Sequence, residues 1–157
     1  MATPETVSPH LPVVLVLAGH DPTGGAGLVA DAEAIAACGG WALTIPTALT
    51  VQNCRDVQRV VPADPDIMRA AAAALDDFEV AAIKVGLVAD LASLDAVTDI
   101  VRRFPGVPLV VDPVLKAGGG RELSTAELVD AFRERLLPLV DIPVSYTHLT
   151  LPTKRIV

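Results

Sequence analysis

The feature that most constrains the fold is a glycine-rich turn between an apolar run and an alanine-rich run. The apolar run, Val13 to Leu17, is β-branched and short enough to be a buried parallel strand. The alanine-rich run, Ala26 to Ala37, has the composition of a helix. Between them, Gly24, Gly25 and Gly27 permit a positive φ and the close approach of a ligand, and the helix start offers free N–H groups. In open α/β sheets such a turn lies where ligands bind, so the stretch predicts a ligand loop; the alternative is a loop that only turns a tight corner.

Two well-known phosphate loops fit this turn poorly. A Walker loop needs a lysine at its end to reach the phosphates, and this turn has none. The dinucleotide fingerprint is partly met by residues 25–30, but six residues separate Ala18 from Gly25. In addition, residues 45–50, where the second strand would end, contain no carboxylate to hold a ribose. The Walker interpretation is therefore excluded, and the dinucleotide interpretation is disfavoured.

Composition indicates one aliphatic α/β domain. The 157 residues suit a single domain, and 52% hydrophobic residues are ample for its core. Aromatic residues make up only 3%, so Val, Leu, Ile and Ala must fill that core, as they do in parallel sheets covered by helices on both faces. The net charge of −7 argues against nucleic acid or an anionic membrane as a partner, and no apolar run is long enough to cross a bilayer.

The two cysteines, Cys38 and Cys54, are too few for a disulfide framework or a zinc site. We expect both to be buried or partly buried thiols in a reducing compartment.

Periodicity and turn signals predict alternating strands and helices. Asp64 and Pro65 suit the cap and first turn of a helix, and Ser124 to Glu127 has the pattern of a capping box. The polar stretch Thr50 to Arg55 is expected to be a loop at the carboxyl edge of the sheet. The predicted strands are 13–17, 41–47, 57–62, 80–86 and 107–111, and the predicted helices are 26–37, 64–77, 91–104 and 124–137.

The turn resembles the opening motif of the hydroxymethylpyrimidine and phosphomethylpyrimidine kinases of thiamine biosynthesis, members of the ribokinase-like superfamily. That motif reads Ala-Gly-Ser-Asp-Pro-Ser-Gly-Gly-Ala-Gly, with His20 and Thr23 here in place of the serines. Three further motifs follow in the family's order, at residues 47–53, 83–87 and 110–115. The resemblance covers about residues 13 to 141. It implies a ribokinase-like, three-layer αβα fold with a mainly parallel sheet, of which this chain has the N-terminal half.

The resemblance also implies a reaction and a set of site residues. The reaction is phosphoryl transfer from MgATP to the hydroxymethyl group of 4-amino-5-hydroxymethyl-2-methylpyrimidine and then to its monophosphate. Such catalysis depends on positioning, metal charge and an anion hole. No catalytic residue is assigned, because the family's Gly-rich anion hole lies in a C-terminal half that this chain does not match. The positions that match the family's pyrimidine contacts are Gly19, Ala26, Asp31, Gln52, Leu87 and Val114.

Three polar residues have both a functional and a structural interpretation. Gln52 offers one acceptor and two donors, which suit an aminopyrimidine edge, but it could also only cap its loop. Lys84 lies in an otherwise apolar strand, where it either forms a structural ion pair or serves the ligand. Asp112 follows a strand and precedes Pro113, so it could hold Mg²⁺ or cap a turn. Of the histidines, only His20 lies where it could touch a ligand.

The second glycine-rich loop, residues 116–121, departs from the family. Many members have Ala-Lys-Ser-Gly there, whereas this chain has Gly118 where the lysine falls. Lys116 or Arg121 could substitute for that cation by reach.

We divide the chain into a flexible arm over 1–12, a partial kinase domain over 13–142 and a tail over 143–157. The tail matches nothing in the family and is expected to be an artefact of a broken reading frame, so Tyr146 and His148 receive no role. The partial domain keeps the pyrimidine side of the site and lacks the nucleotide side, so this chain is expected to have little or no turnover.

Two alternatives stay open. A pyridoxal kinase shares the superfamily, although the Asp-Pro-Thr-Gly-Gly-Ala-Gly motif favours the pyrimidine enzymes. A non-catalytic pyrimidine-binding module would bind its ligand without requiring ATP. The resemblance implies ATP and Mg²⁺ as cofactors, a small pyrimidine as substrate and a cytoplasmic location, with a possible homodimer for the full-length protein.

Overall fold

A computed structural model describes residues 11–114 and 124–144. The strands are β1 Val13–His20, β2 Trp41–Gln52, β3 Val57–Pro62, β4 Val80–Val85, β5 Leu109–Val111 and β6 Ile142–Pro143. The helices are α1 Gly27–Ala37, α2 Pro65–Ala73, α3 Leu91–Arg102 and α4 Ala126–Arg135, with a 3₁₀ turn at Leu137–Leu139. The strands form one six-stranded sheet in the order β3-β2-β1-β4-β5-β6. Every neighbouring pair is parallel except β2 and β3, which are antiparallel.

Alternating side chains of β1 divide the interior into two layers of packing. Val16 and Ala18 pack with Leu28 of α1 on one face of the sheet. Leu15 and Leu17 belong to the larger core on the other face, which includes residues of α2, α3 and α4. The sheet therefore lies between helices on both faces, and the predicted three-layer αβα architecture with a mainly parallel sheet is confirmed. This core is mainly aliphatic, as the composition predicted.

The N-caps of two helices test the local predictions. The Asp64 carboxylate accepts from the backbone N–H groups of Asp66 and Ile67 at 2.8 and 3.1 Å, so the predicted cap of α2 is confirmed. For α4 the predicted capping box is wrong, because the cap is Thr125, whose hydroxyl accepts from Leu128 N at 3.2 Å. With the cap there, Glu127 falls one position too early to bond back to the cap.

The predicted ends of the first two strands are also wrong. β1 continues to His20 and β2 continues to Gln52, so Thr50 to Gln52 are strand and not loop. The reason is tertiary: His20 pairs with Leu49, and β3 folds back so that Thr50 has a strand partner. Polar composition at a strand end does not prevent pairing when a neighbouring strand satisfies its backbone groups.

Both cysteines are exposed, which contradicts the expectation of buried thiols. Cys38 caps the end of α1 and Cys54 lies in the connection between β2 and β3, so both occupy surface reversals of the chain.

Several predictions fall outside the described residues. These are the arm at residues 1–10, the loop at 116–121 with Lys116, Gly118 and Arg121, and the tail from residue 145. Pro143 and Val144 are described, and Val144 N donates to Val111 O at 2.8 Å. Among the helices within the described ranges, none is long and apolar enough to cross a membrane.

Candidate functional site

A cavity of about 370 Å³ opens at the carboxyl edge of the sheet. In the sheet, β1 lies between β2 and β4, so the chain connections at this edge run to opposite sides of β1. Open α/β sheets bind ligands in the crevice that such a divergence creates. The volume lies within the range of small-molecule sites, roughly 300–1,000 Å³. Topology and size therefore both point to a ligand site.

The six pyrimidine-contact positions named from the sequence meet in this one cavity. The described lining includes Gly19, Ala26, Asp31, Gln52, Leu87 and Val114. Asp112, the predicted metal ligand, lines it as well. His20 is not among these lining residues, and its carbonyl accepts from the Thr50 hydroxyl at 2.8 Å. The structure thus brings the candidates together, and the ligand contact of each one stays a prediction.

Asp21 organises the loop after β1. Its side chain is buried, and Oδ1 accepts from both the backbone N–H and the hydroxyl of Thr23 at 2.8 Å. Burial by itself raises the pKa of the Asp21 carboxyl. Hydrogen bonds from Thr23, and lesser ones from the Gln52 side chain and the Ala26 backbone, outweigh it and hold the pKa below the usual 3.8. Asp21 is therefore an anion that ties the loop together next to the cavity.

Gly27 lets the loop close directly onto β1. Its φ is +62°, a left-handed conformation that side chains other than that of glycine rarely adopt. A Cβ at this position would lie 2.0 Å from the carbonyl oxygen of Gly19. Only glycine therefore allows α1 to begin this close to the strand end, which brings Ala26 and Asp31 to the cavity.

Leu87 is fixed in the cavity wall by its backbone. The hydroxyl of the fully buried Thr47 donates to Leu87 O at 2.5 Å, which connects β2 to the segment after β4. A Cβ on Gly19 would lie 3.0 Å from Leu87 Cδ2, so the leucine packs directly on the end of β1. Leu87 thus lines the cavity, and its role as an apolar wall for a ligand stays a prediction.

Lys84 forms an ion pair inside the cavity. Its Nζ lies 2.5 Å from Asp31 Oδ2, and the two side chains are 21% and 22% exposed. The predicted ion pair of Lys84 with a carboxylate is therefore confirmed, and both partners also line the cavity. Gly86 keeps the space free, since a Cβ there would lie 3.0 Å from Lys84 Nζ and 3.1 Å from Ala18 Cβ.

Asp112 has the chemistry of a cation ligand. Its backbone N–H donates to Val85 O at 2.8 Å, which fixes the residue beside the end of β4. Its Oδ1 is buried and has no hydrogen-bond partner within the described part of the chain. No group of three potential metal-ligating side chains occurs in that part. Mg²⁺ needs only one or two protein carboxylates when waters and phosphates complete its shell, so Asp112 fits that ion.

Sequence reasoning missed the outer wall, which is formed by Val57 and Val60 of β3. The register shifts between Val51, which pairs with Arg59, and Gln52, which pairs with Val57. This β-bulge breaks the alternation of side chains, so two valines three positions apart reach the same cavity. A period-two pattern in the sequence could not have identified both of them.

Comparison with known proteins gives one consistent family. A protein-family model described as phosphomethylpyrimidine kinase matches residues 21–145. The hydroxymethylpyrimidine/phosphomethylpyrimidine kinase of Rhizobium meliloti is 39% identical over 128 residues, which are 81% of this chain and 48% of that protein. A chloroplastic thiamine biosynthetic bifunctional enzyme of Arabidopsis thaliana is 38% identical over 143 residues, which are 90% of this chain and 27% of that protein. The chain thus spans about half the length of the first of these relatives and less of the second.

Solved structures agree on the fold. The phosphomethylpyrimidine kinase of Clostridium difficile matches with a TM-score of 0.76 and 28% identity, covering 85% of this chain and 58% of that one. The pyridoxal kinase of Bacillus subtilis, solved as an ADP complex, matches with a TM-score of 0.73 and 26% identity, covering 85% and 51%.

Proposed function

The chain belongs to the phosphomethylpyrimidine kinase family, and on that premise we propose that the protein phosphorylates pyrimidines for thiamine diphosphate biosynthesis. ATP donates phosphate to the hydroxymethyl group of 4-amino-5-hydroxymethyl-2-methylpyrimidine and then to its monophosphate. The observation that carries this proposal is the meeting of all six family-matched contact positions in one cavity of suitable size.

The cavity offers each part of an aminopyrimidine a chemically suitable neighbour. The small residues Gly19 and Ala26 leave room for a flat ring beside the loop, and Leu87 supplies an apolar wall. Gln52 donates one amide N–H to Asp21 and presents its acceptor and its other donor to a ring edge that carries both an amino group and a ring nitrogen. Asp31 adds a carboxylate that accepts from an N–H group.

Asp112 is the residue that would hold Mg²⁺. Bound there, the ion would neutralise phosphate charge during transfer. The buried and unpartnered Oδ1 of Asp112 supports this assignment.

Binding is the decisive test in this chain. Isothermal titration of the 157-residue chain with the aminopyrimidine should show saturable binding without ATP. A Gln52→Met variant should bind about tenfold more weakly, because a hydrogen bond to the ring edge is lost. No binding by the wild-type chain would contradict the proposal. Since the chain spans only about half the length of its kinase relatives, we expect little or no turnover with MgATP, and turnover at ordinary enzyme rates would overturn that expectation.

A pyridoxal kinase is the second candidate, because the Bacillus subtilis enzyme has nearly the same TM-score as the pyrimidine kinase. Competition between pyridoxal and the aminopyrimidine separates the two. Tighter binding of pyridoxal would favour the second candidate. The cytoplasmic location and the homodimer belong to the main proposal, and cell fractionation and light scattering test them.

A further inference from the structure

The ion pair between Lys84 and Asp31 is unusual in its placement. Lys84 lies within the parallel sheet, paired in register with Val16 of β1 and Val110 of β5. Asp31 approaches from α1, so the pair joins the sheet to the helix at the cavity. Partly buried pairs of this kind add little net stability, because desolvation offsets their attraction. Stability alone therefore gives a weak reason for a lysine in this strand.

The pair leaves one carboxylate oxygen available. Lys84 Nζ donates to Asp31 Oδ2, while Asp31 Oδ1 accepts no hydrogen bond from the described residues. A carboxylate is an acceptor only, so an Oδ1 held in place can bind an N–H donor and repels a carbonyl oxygen. The Lys84 ammonium also balances the charge of Asp31. Among the described lining residues, Lys84 is the one cationic residue, and Asp21, Asp31 and Asp112 are the acidic ones.

Space around the lysine is provided by small residues. A Cβ on Gly86 would lie 3.0 Å from Lys84 Nζ and 3.1 Å from Ala18 Cβ. These small residues therefore leave room for the Lys84 side chain to reach Asp31. Any side chain added at residue 86 would force the ammonium to move.

We propose that Lys84 is a positioning residue: it holds Asp31 Oδ2 so that Oδ1 accepts an N–H group of the ligand, which makes the cavity select amino over oxo heterocycles. This inference rests on the proposed function, since it assumes that an aminopyrimidine is the ligand. Lys84 acts through Asp31 and need not touch the ligand.

The experiment compares two ligands and four variants of the 157-residue chain. The ligands are 4-amino-5-hydroxymethyl-2-methylpyrimidine and its 4-oxo analogue, titrated calorimetrically to obtain each Kd. The variants are Lys84→Met, Lys84→Arg, the double variant Lys84→Met/Asp31→Leu, and the control Arg135→Met. The control removes an exposed ion pair with Asp95, whose atoms are 2.7 Å apart, outside the cavity.

We expect Lys84→Met to bind the amino ligand about tenfold more weakly and to lose most of its preference over the oxo ligand. Lys84→Arg should keep most of that preference, and Arg135→Met should match the wild type. The double variant should keep the wild-type urea midpoint and lose the preference, because an apolar pair can replace a buried ion pair without loss of stability. An unchanged amino-to-oxo ratio in Lys84→Met would overturn the inference.

A second measurement separates this inference from the proposed function. If the wild-type chain binds neither pyrimidine, the proposed function fails, and ligand-free crystal structures decide the positioning role. Displacement of the Asp31 carboxylate in Lys84→Met, with retention in Lys84→Arg, would support that role. A carboxylate that stays in place without the ammonium would refute it.

Discussion

Gly27 is the position at which backbone geometry most strongly excludes any residue other than glycine. We expect Gly27→Ala to lower the free energy of unfolding by roughly 2–5 kcal/mol, because left-handed strain and overpacking add together. The added Cβ would lie 2.0 Å from Gly19 O, and backbone on both sides must move to relieve that contact. Urea denaturation followed by circular dichroism measures the change.

Gly39 provides the matched control for this substitution. Its φ is +79°, but a Cβ there would meet no atom within 4 Å. Gly39→Ala should therefore cost only the conformational term, about 1–2 kcal/mol. Equal losses at the two positions would show that the contact with Gly19 has no effect on stability.

Asp21 gives the fold a pH dependence of predictable sign. Its folded-state pKa is lowered, since hydrogen bonds from Thr23 and others outweigh the effect of burial. The stabilisation is therefore present above the usual 3.8 and is lost as the pH falls through the lower folded-state value. Asp21→Asn should be less stable than the wild type at pH 7, and the difference should shrink below about pH 4.

Chemical denaturation at pH 7 and pH 3 measures this difference. Thr23→Val removes a hydroxyl donor to Asp21 at nearly constant volume, and it should cost about 1 kcal/mol at pH 7. A wild-type advantage over Asp21→Asn that does not change with pH would contradict the assigned titration.

At the scale of elements, β3 supplies a cavity wall and a solvent-exposed side. Val60 pairs with Thr50 and lines the cavity, whereas Val61 pairs with Leu49 and is 37% exposed. Val60→Thr should weaken binding of the aminopyrimidine about tenfold, because a hydroxyl would be desolvated against the ligand. Val61→Thr should leave Kd unchanged. Equal effects of the two substitutions would show that β3 does not form the ligand wall, and calorimetric titration measures both.

Structural features that depend on residues close together in the sequence could be predicted here, whereas features that depend on distant residues could not. The turn from Gly24 to Gly27 and the cap at Asp64 are local, and both were predictable from the residues alone. The extension of β2 to Gln52 and the bulge before Val57 depend on strand partners that periodicity does not reveal. The site followed from a resemblance of motifs, because no local pattern indicates that residues 19, 52 and 87 would meet.

At the scale of the whole molecule, the two faces of the sheet are covered unequally. α2, α3 and α4 share the large core on one face, whereas α1 packs over β1 and β2 on the other. Register places Val16, Lys84, Val110 and Ile142 side by side on the face of α1. The cavity opens at the carboxyl edge of the sheet, and its described lining includes both Lys84 and Asp112.

The apolar edge of the described sheet at β6 should promote self-association of the chain. Ile142 on β6 is 55% exposed and Val144 beside it is 43% exposed, and β6 pairs only with β5 among the described strands. Exposed apolar edge strands invite pairing between copies, and a lysine on the edge opposes it. Ile142→Lys should therefore move the onset of association, measured by light scattering, to a severalfold higher concentration. Ile67→Lys is the matched control, because Ile67 is 68% exposed on α2 and lies on no strand edge. An equal gain from both lysines would attribute the effect to the general loss of exposed apolar surface and would refute a role for the edge.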